Sequence, residues 1–154
     1  MSILITDMPE IDFAPYLDYS TNEYAKEKQK NGTWPADRAL MNARAEISRL
    51  LPQGYATPNH KFLSLVDASG TKVGIFWLYV SPERKEAFIY DFEIFEAYRN
   101  HGIGQMAMQT LFAYCRALGI VKISLHVFAT NERAYHVYQK LGYQTTDINM
   151  SKLL

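Results

Sequence analysis

Three runs in the middle of the chain, Lys61 to Asp67, Lys72 to Val80 and Glu86 to Phe95, are dense in β-branched and aromatic residues. Only turn-sized links separate them, Ala68-Ser69-Gly70-Thr71 and Ser81 to Lys85. A link that short returns the chain beside the strand it has just left, so the spacing predicts a three-stranded antiparallel meander. After Phe95 the order changes. Gly102 to Leu118 carries Ile103, Met106, Leu111 and Tyr114 at helical spacing and closes at Gly119. Ile120 to Phe128 reads as a strand, Asn131 to Leu141 as a short helix ended by Gly142, and Tyr143 to Lys152 as a last strand. The strand–helix–strand unit from Glu86 to Phe128 calls for a right-handed crossover with parallel strands.

Ahead of the meander the pattern is helical. Ser2 to Asp7 alternates and fits a short first strand, and from about Glu10 to Lys30 Phe13, Leu17 and Tyr24 fall on one face until Asn31-Gly32 stops the helix. Pro35 suits the first turn of a second helix striped by Leu40, Ala43, Ile47, Leu50 and Leu51, which Pro52-Gln53-Gly54 ends. The expected class is α/β: a mixed, mostly antiparallel twisted sheet flanked by about four helices. No repeat, low-complexity tract or linker divides the 154 residues, so a single domain over 1–154 is expected.

Composition narrows the function. Sixteen basic and sixteen acidic side chains balance, which argues against a nucleic-acid partner, since such proteins carry a basic excess. Cys115 is the one cysteine, so no disulfide framework or cysteine-rich metal site can form. No run reaches the roughly 18 apolar residues of a membrane helix, and the first residues lack the basic start of a signal peptide. A soluble, cytoplasmic, metal-free protein is expected.

The chemistry concentrates in Tyr98-Arg99-Asn100-His101-Gly102-Ile103-Gly104, at a strand-to-helix junction. Glycines there let the backbone approach a ligand, and the free N–H groups of a helix start attract an anion such as a pyrophosphate. A lone glycine pair is equally a plain turn. Gly102-Ile103-Gly104-Gln105-Met106-Ala107 also fits the dinucleotide pattern G-x-G-x-x-A. That pattern belongs to the first turn of a doubly wound sheet with an acid about 20 residues on. Here it follows antiparallel strands, and Lys122 to Val127 holds no acid. A nicotinamide cofactor is therefore not expected.

These residues resemble the GNAT superfamily of N-acetyltransferases. Arg99, Gly102 and Gly104 match the three fixed positions of that family's acyl-CoA loop, Q/R-x-x-G-x-G/A. Asn131, Ala134, Tyr138 and the pair Gly142-Tyr143 match its second signature, in register with the first. The resemblance is strong from Phe88 to Tyr143 and looser before it, and Asn100 stands where many members carry glycine.

The resemblance implies an enzyme that moves the acetyl group of acetyl-CoA directly to a primary amine. Backbone near Ile94 and Phe95 would pair with the pantetheine arm, and Asn100, His101, Gly102, Ile103, Gly104 and Gln105 would hold the pyrophosphate. Asn131, with Ala134 beside it, would meet the pantetheine amide. Tyr138 would protonate the departing thiolate. Asp91 and Glu93, two apart on one face of a strand, are the candidates for the base that deprotonates the amine, with Tyr90, Phe92 and Ile94 on the other face. The acceptor is undetermined; Asp18, Glu23, Glu27, Trp34, Trp77 and Tyr79 offer acids and aromatics that suit a cation. A homodimer is compatible with the pattern. The rival reading is a non-catalytic acyl-CoA-binding or sensing module. His126 and His136 lie near the same region with less claim to a role, and Cys115 reads as a reduced filler.

Overall fold

The computed structural model describes residues 2–154. Five strands, β1 (Ile3–Asp7), β2 (His60–Asp67), β3 (Lys72–Ser81), β4 (Glu86–Ile94) and β5 (Lys122–Leu125), lie side by side in chain order. The first four pair antiparallel, and β4 pairs β5 in parallel. The helices are α1 (Glu10–Lys30), α2 (Ala39–Leu50), α3 (Ile103–Ala117) and α4 (Glu132–Lys140). Short 3-10 turns stand at Gly54–Ala56 and Glu96–Tyr98. This is the mixed, mostly antiparallel sheet with four helices that the pattern predicts. No helix among the described residues is long and apolar enough to cross a membrane.

Alternation divides β3 between two cores. Phe76 and Leu78 face α3, whose Ile103, Ala107, Met108, Leu111 and Cys115 recur every three or four residues and so form one buried stripe. Ile75 and Trp77 face the other way, against Phe13 of α1 and Ile47 and Leu51 at the end of α2. With both faces covered, β3 reads in sequence as an almost unbroken apolar run.

The register of β3 and β4 slips once. Trp77 pairs with Asp91 but Leu78 pairs with Ile89, leaving Tyr90 without a partner as the extra residue of a β-bulge. The bulge places Tyr90 on the face of Trp77, where the rings stack at 4.9 Å, instead of on the face of Phe92 and Ile94. Phe92 keeps to the α3 side and stacks on Phe76 at 4.5 Å. The strict alternation expected for Tyr90 is thus corrected by one inserted residue.

Two other expectations change. The strand expected over Ile120 to Phe128 is paired only at Lys122–Leu125, because β4 leaves the ladder at its bulge and His126 to Phe128 meet no neighbour. Tyr143 to Lys152 forms no strand at all. Its alternating pattern needs an edge to bond, and it does not lie along the open edge of β5.

Candidate active site

β4 and β5 are hydrogen-bonded from Glu86/Lys122 to Ile89/Leu125 and separate beyond. Two cavities occupy the opening. The first, about 700 Å³, lies among the end of β4, the Glu96–Tyr98 turn, the start of α3 and one face of α4. The second, about 490 Å³, lies beneath α1 and α2 against β3, β4 and the end of β5. Phe92, Glu93 and Tyr138 line both, so the cavities meet at these three side chains.

The first cavity is built around a bare helix start. Asn100 and Gly102 adopt left-handed backbone, φ 66° and 74°, which turns the chain sharply into α3. No side chain caps α3, and its first turn holds no acid. Its leading N–H groups, at Ile103, Gly104 and Gln105, therefore face the cavity without a partner from their own helix. A Cβ built on Gly104 would meet only Ile94 and Phe92, at 3.9 and 4.0 Å, so the chain's own packing does not demand glycine there. Arg99 folds back over β4, its Nε donating to the Ile94 carbonyl at 2.7 Å and its Nη2 to Glu93 at 3.3 Å. Arg133, a residue the sequence reading passed over, donates from Nη2 to Asn100 Oδ1 at 2.7 Å and ties α4 to the loop.

Asn131 caps α4, its Oδ1 accepting from the Ala134 N–H at 3.2 Å, which leaves the amide nitrogen free to donate. Asn131, Ala134 and Tyr138 share the helix face that borders the cavity. Ile94, Arg99, Asn100, Gly102, Ile103, Gly104 and Gln105 line it as well. Two candidates do not. His101 is exposed beside the turn, and Phe95 packs into the core under α1 while its N–H donates to the Val73 carbonyl at 2.9 Å. In an antiparallel ladder that bond turns the neighbouring Ile94 amide groups outward, so of these two candidates it is Ile94 whose N–H faces away from β3.

The two acids are held by α1. Asp91 Oδ2 accepts from Tyr16 at 2.7 Å and from Ser20 at 3.2 Å. Glu93 Oε1 accepts from Tyr19 at 3.0 Å and pairs with Arg99. Burial pushes the Asp91 carboxyl above its usual range, against the pull of its two hydroxyl donors. Burial likewise raises Glu93, opposed by Tyr19 and Arg99 and helped by the charge of Asp91. Burial and then Asp91 raise the Tyr138 phenol, which keeps it protonated. Tyr16, Tyr19 and Ser20 were missed in the sequence; their i, i+3, i+4 spacing beside the apolar stripe of α1 was the signal available.

Asp91 lines only the second cavity, together with Glu23, Glu27, Glu46, Trp77 and Tyr90. Five carboxylates border it, those four and Glu93, against the cations Lys28 and Arg49. His126 borders it too. Asp18, Trp34 and Tyr79 stand outside: Trp34 packs edge-on to Tyr24, and Tyr79 lies beside His60. No group of three or more potential metal ligands occurs among the described residues.

An antiparallel meander that opens beside a parallel strand, with a glycine turn and an uncapped helix start in the opening, defines an acyltransferase fold with a cofactor-sized groove. The family model described as Acetyltransferase (GNAT) family matches residues 18–143, and the chain belongs to that family as an N-acetyltransferase. It is similar to the uncharacterised N-acetyltransferases YycN and YdgE of Bacillus subtilis. Identity is 42% for YycN over the whole of both chains, and 38% for YdgE over 100% of this chain and 99% of the relative. The YycN crystal structure superposes with a TM-score of 0.96 over 99% of each chain. A PaiA N-acetyltransferase from Thermoplasma acidophilum, solved with coenzyme A, shares the fold at TM-score 0.67 with 18% identity, over 97% of this chain and 94% of that one.

Proposed function

We infer that the protein transfers the acetyl group of acetyl-CoA directly to a primary amine, with the cofactor in the first cavity and the amine in the second. The observation that carries this reading is the meeting of the two cavities at Glu93 and Tyr138. A thioester entering from one side and an amine from the other would confront each other there, which is the positioning that a ternary-complex transfer needs. The coenzyme A complex of the Thermoplasma acidophilum protein supports the cofactor assignment. The N–H groups at the start of α3 would hold the pyrophosphate, and the outward N–H of Ile94 would bond the pantetheine arm or polarise the thioester carbonyl. The free amide nitrogen of Asn131 would hold a pantetheine carbonyl.

The amine nitrogen attacks the carbonyl carbon, the C–N bond forms, and the C–S bond breaks as the tetrahedral intermediate collapses. Glu93 takes the ammonium proton, directly or through one water, because it borders both cavities whereas Asp91 borders only the amine side. Tyr138 delivers its proton to the departing thiolate. Asp91, buried and fixed by Tyr16 and Ser20, contributes negative charge on the amine side. The excess of carboxylates and the rings of Trp77 and Tyr90 favour an acceptor that carries positive charge.

Calorimetric titration with acetyl-CoA tests the cofactor half. Gly104→Val adds bulk at a position that lines the cavity and where a Cβ meets nothing closer than 3.9 Å, so the variant should fold. Wild type should bind and the variant should lose at least about tenfold in affinity. Equal affinity would remove the α3 start from the cofactor site.

A further inference from the structure

Trp77 is buried, yet its ring borders the second cavity. An indole has one polar atom, a nitrogen that can only donate. That Nε1–H meets His60 Nδ1 at 3.0 Å. Because the indole donates, Nδ1 must be the bare nitrogen of a neutral imidazole, with the ring proton on Nε2. Burial lowers the His60 pKa below its usual 6.5, which keeps that acceptor available at neutral pH. His60 opens β2 opposite Tyr79 of β3, and its N–H donates to the Thr57 carbonyl at 3.3 Å. The imidazole is thus carried on backbone tied into the sheet.

The same imidazole meets the other ring of the cavity wall. Tyr90 is the extra residue of the β4 bulge, so no ladder partner fixes it across the sheet. It rests instead on neighbouring rings: Trp77 at 4.9 Å, Phe88 at 4.9 Å and His60 at 5.7 Å. His60 lines neither cavity. It is bonded to one ring of the wall and packed on the other. Without its acceptor the buried indole N–H would be orphaned, and the ring would have to turn toward water to regain a partner. Turning it removes the surface on which Tyr90 stacks.

We propose that His60 is a positioning residue for the amine site: by accepting from Trp77 it holds the Trp77–Tyr90 stack at the angle that walls the second cavity. This role rests on the reading of that cavity as the acceptor site. Neither ring borders the first cavity, so loss of the bond should weaken the amine and leave acetyl-CoA untouched. A histidine that served stability alone would spare both substrates.

Two variants separate the bond from the ring. His60→Phe keeps an aromatic ring against Tyr90 and removes the acceptor, whereas His60→Asn removes the ring and offers an oxygen in place of Nδ1. The Trp77 indole signal in nitrogen–proton NMR spectra reads the bond without any substrate, and Trp34→Phe assigns it by leaving one tryptophan. In His60→Phe that signal should move upfield and exchange with solvent about tenfold faster. In His60→Asn it should stay near its wild-type position. With 1,4-diaminobutane as the amine, His60→Phe should raise the amine KM about fivefold at unchanged acetyl-CoA KM, and His60→Asn should restore it. An indole signal unmoved in His60→Phe would overturn the proposal, as would an unchanged amine KM once the signal has moved. A wild type that transfers nothing to this diamine counts against the amine reading of the cavity, and the indole signal still decides whether His60 holds its wall.

Discussion

The Tyr16 hydroxyl donates to Asp91 Oδ2 at 2.7 Å, joining α1 to the bulged stretch of β4 across 75 positions of sequence. Burial outweighs this donor and Ser20, so the folded-state pKa of Asp91 lies above its ordinary 3.8. A raised carboxyl binds its proton more tightly in the folded chain than in the unfolded one. Stability from this group therefore falls as pH rises through the window between 3.8 and the raised value. Asp91→Asn keeps an acceptor for Tyr16 and removes the buried charge. Its melting temperature should exceed that of wild type at neutral pH, and the difference should shrink as the pH is lowered through that window. Thermal melts across pH check this.

Glu93 must be ionised to take a proton, and its carboxyl is raised above the ordinary 4.5 by burial. The acid limb of kcat/KM should accordingly lie above pH 4.5. Glu93→Gln should lower kcat by about 10²-fold or more and flatten that limb. An unaltered limb would assign the base elsewhere.

Tyr138→Phe removes a hydroxyl and little packing. The predicted outcome is a loss of about 10²-fold or more in kcat with acetyl-CoA affinity retained. Equal loss of affinity and rate would make Tyr138 a packing residue between the cavities.

Gly74 supports Glu93 from the neighbouring strand. A Cβ there would lie 2.3 Å from the Glu93 carbonyl and 3.1 Å from Leu65 Cδ1, so β4 can approach β3 only over a glycine. Gly74→Ala should cost about 1–3 kcal/mol, which is roughly 2–4 °C per kcal/mol in a domain of this size. It should also depress activity by displacing Glu93. A variant with unchanged melting temperature would contradict the close approach.

Cys115 lies buried in the α3 core, and burial pushes its thiol up to about 11. The folded protein should therefore leave a disulfide reagent such as dithionitrobenzoate unreacted at neutral pH and consume it only after denaturation. Rapid reaction in the native state would show that α3 opens.

The meander, the helices and the glycine turn were legible because their signals are local: a period of two, a stripe every three or four residues, a glycine where φ must be positive. The bulge was not, because one extra residue changes no composition, yet it turns Tyr90 toward Trp77 and lets β4 leave β5. The partners of Asp91 and Glu93 were hidden for a related reason. Tyr16, Tyr19 and Ser20 lie more than seventy positions away, and only the packing of α1 on the sheet brings them close. Tyr143 to Lys152 shows the reverse case. Its strand pattern was plain in the sequence, yet the segment leaves the open edge of β5 unpaired.

Direct transfer to an amine is read from amine-dependent release of thiol from acetyl-CoA, a signal to which the buried Cys115 adds no background. With a panel of primary amines, including dications, thiol release should saturate in both substrates and yield one N-acetylated product per thiol. Release at the same slow rate with and without amine would reduce the activity to thioester hydrolysis and contradict transfer across the meeting point of Glu93 and Tyr138.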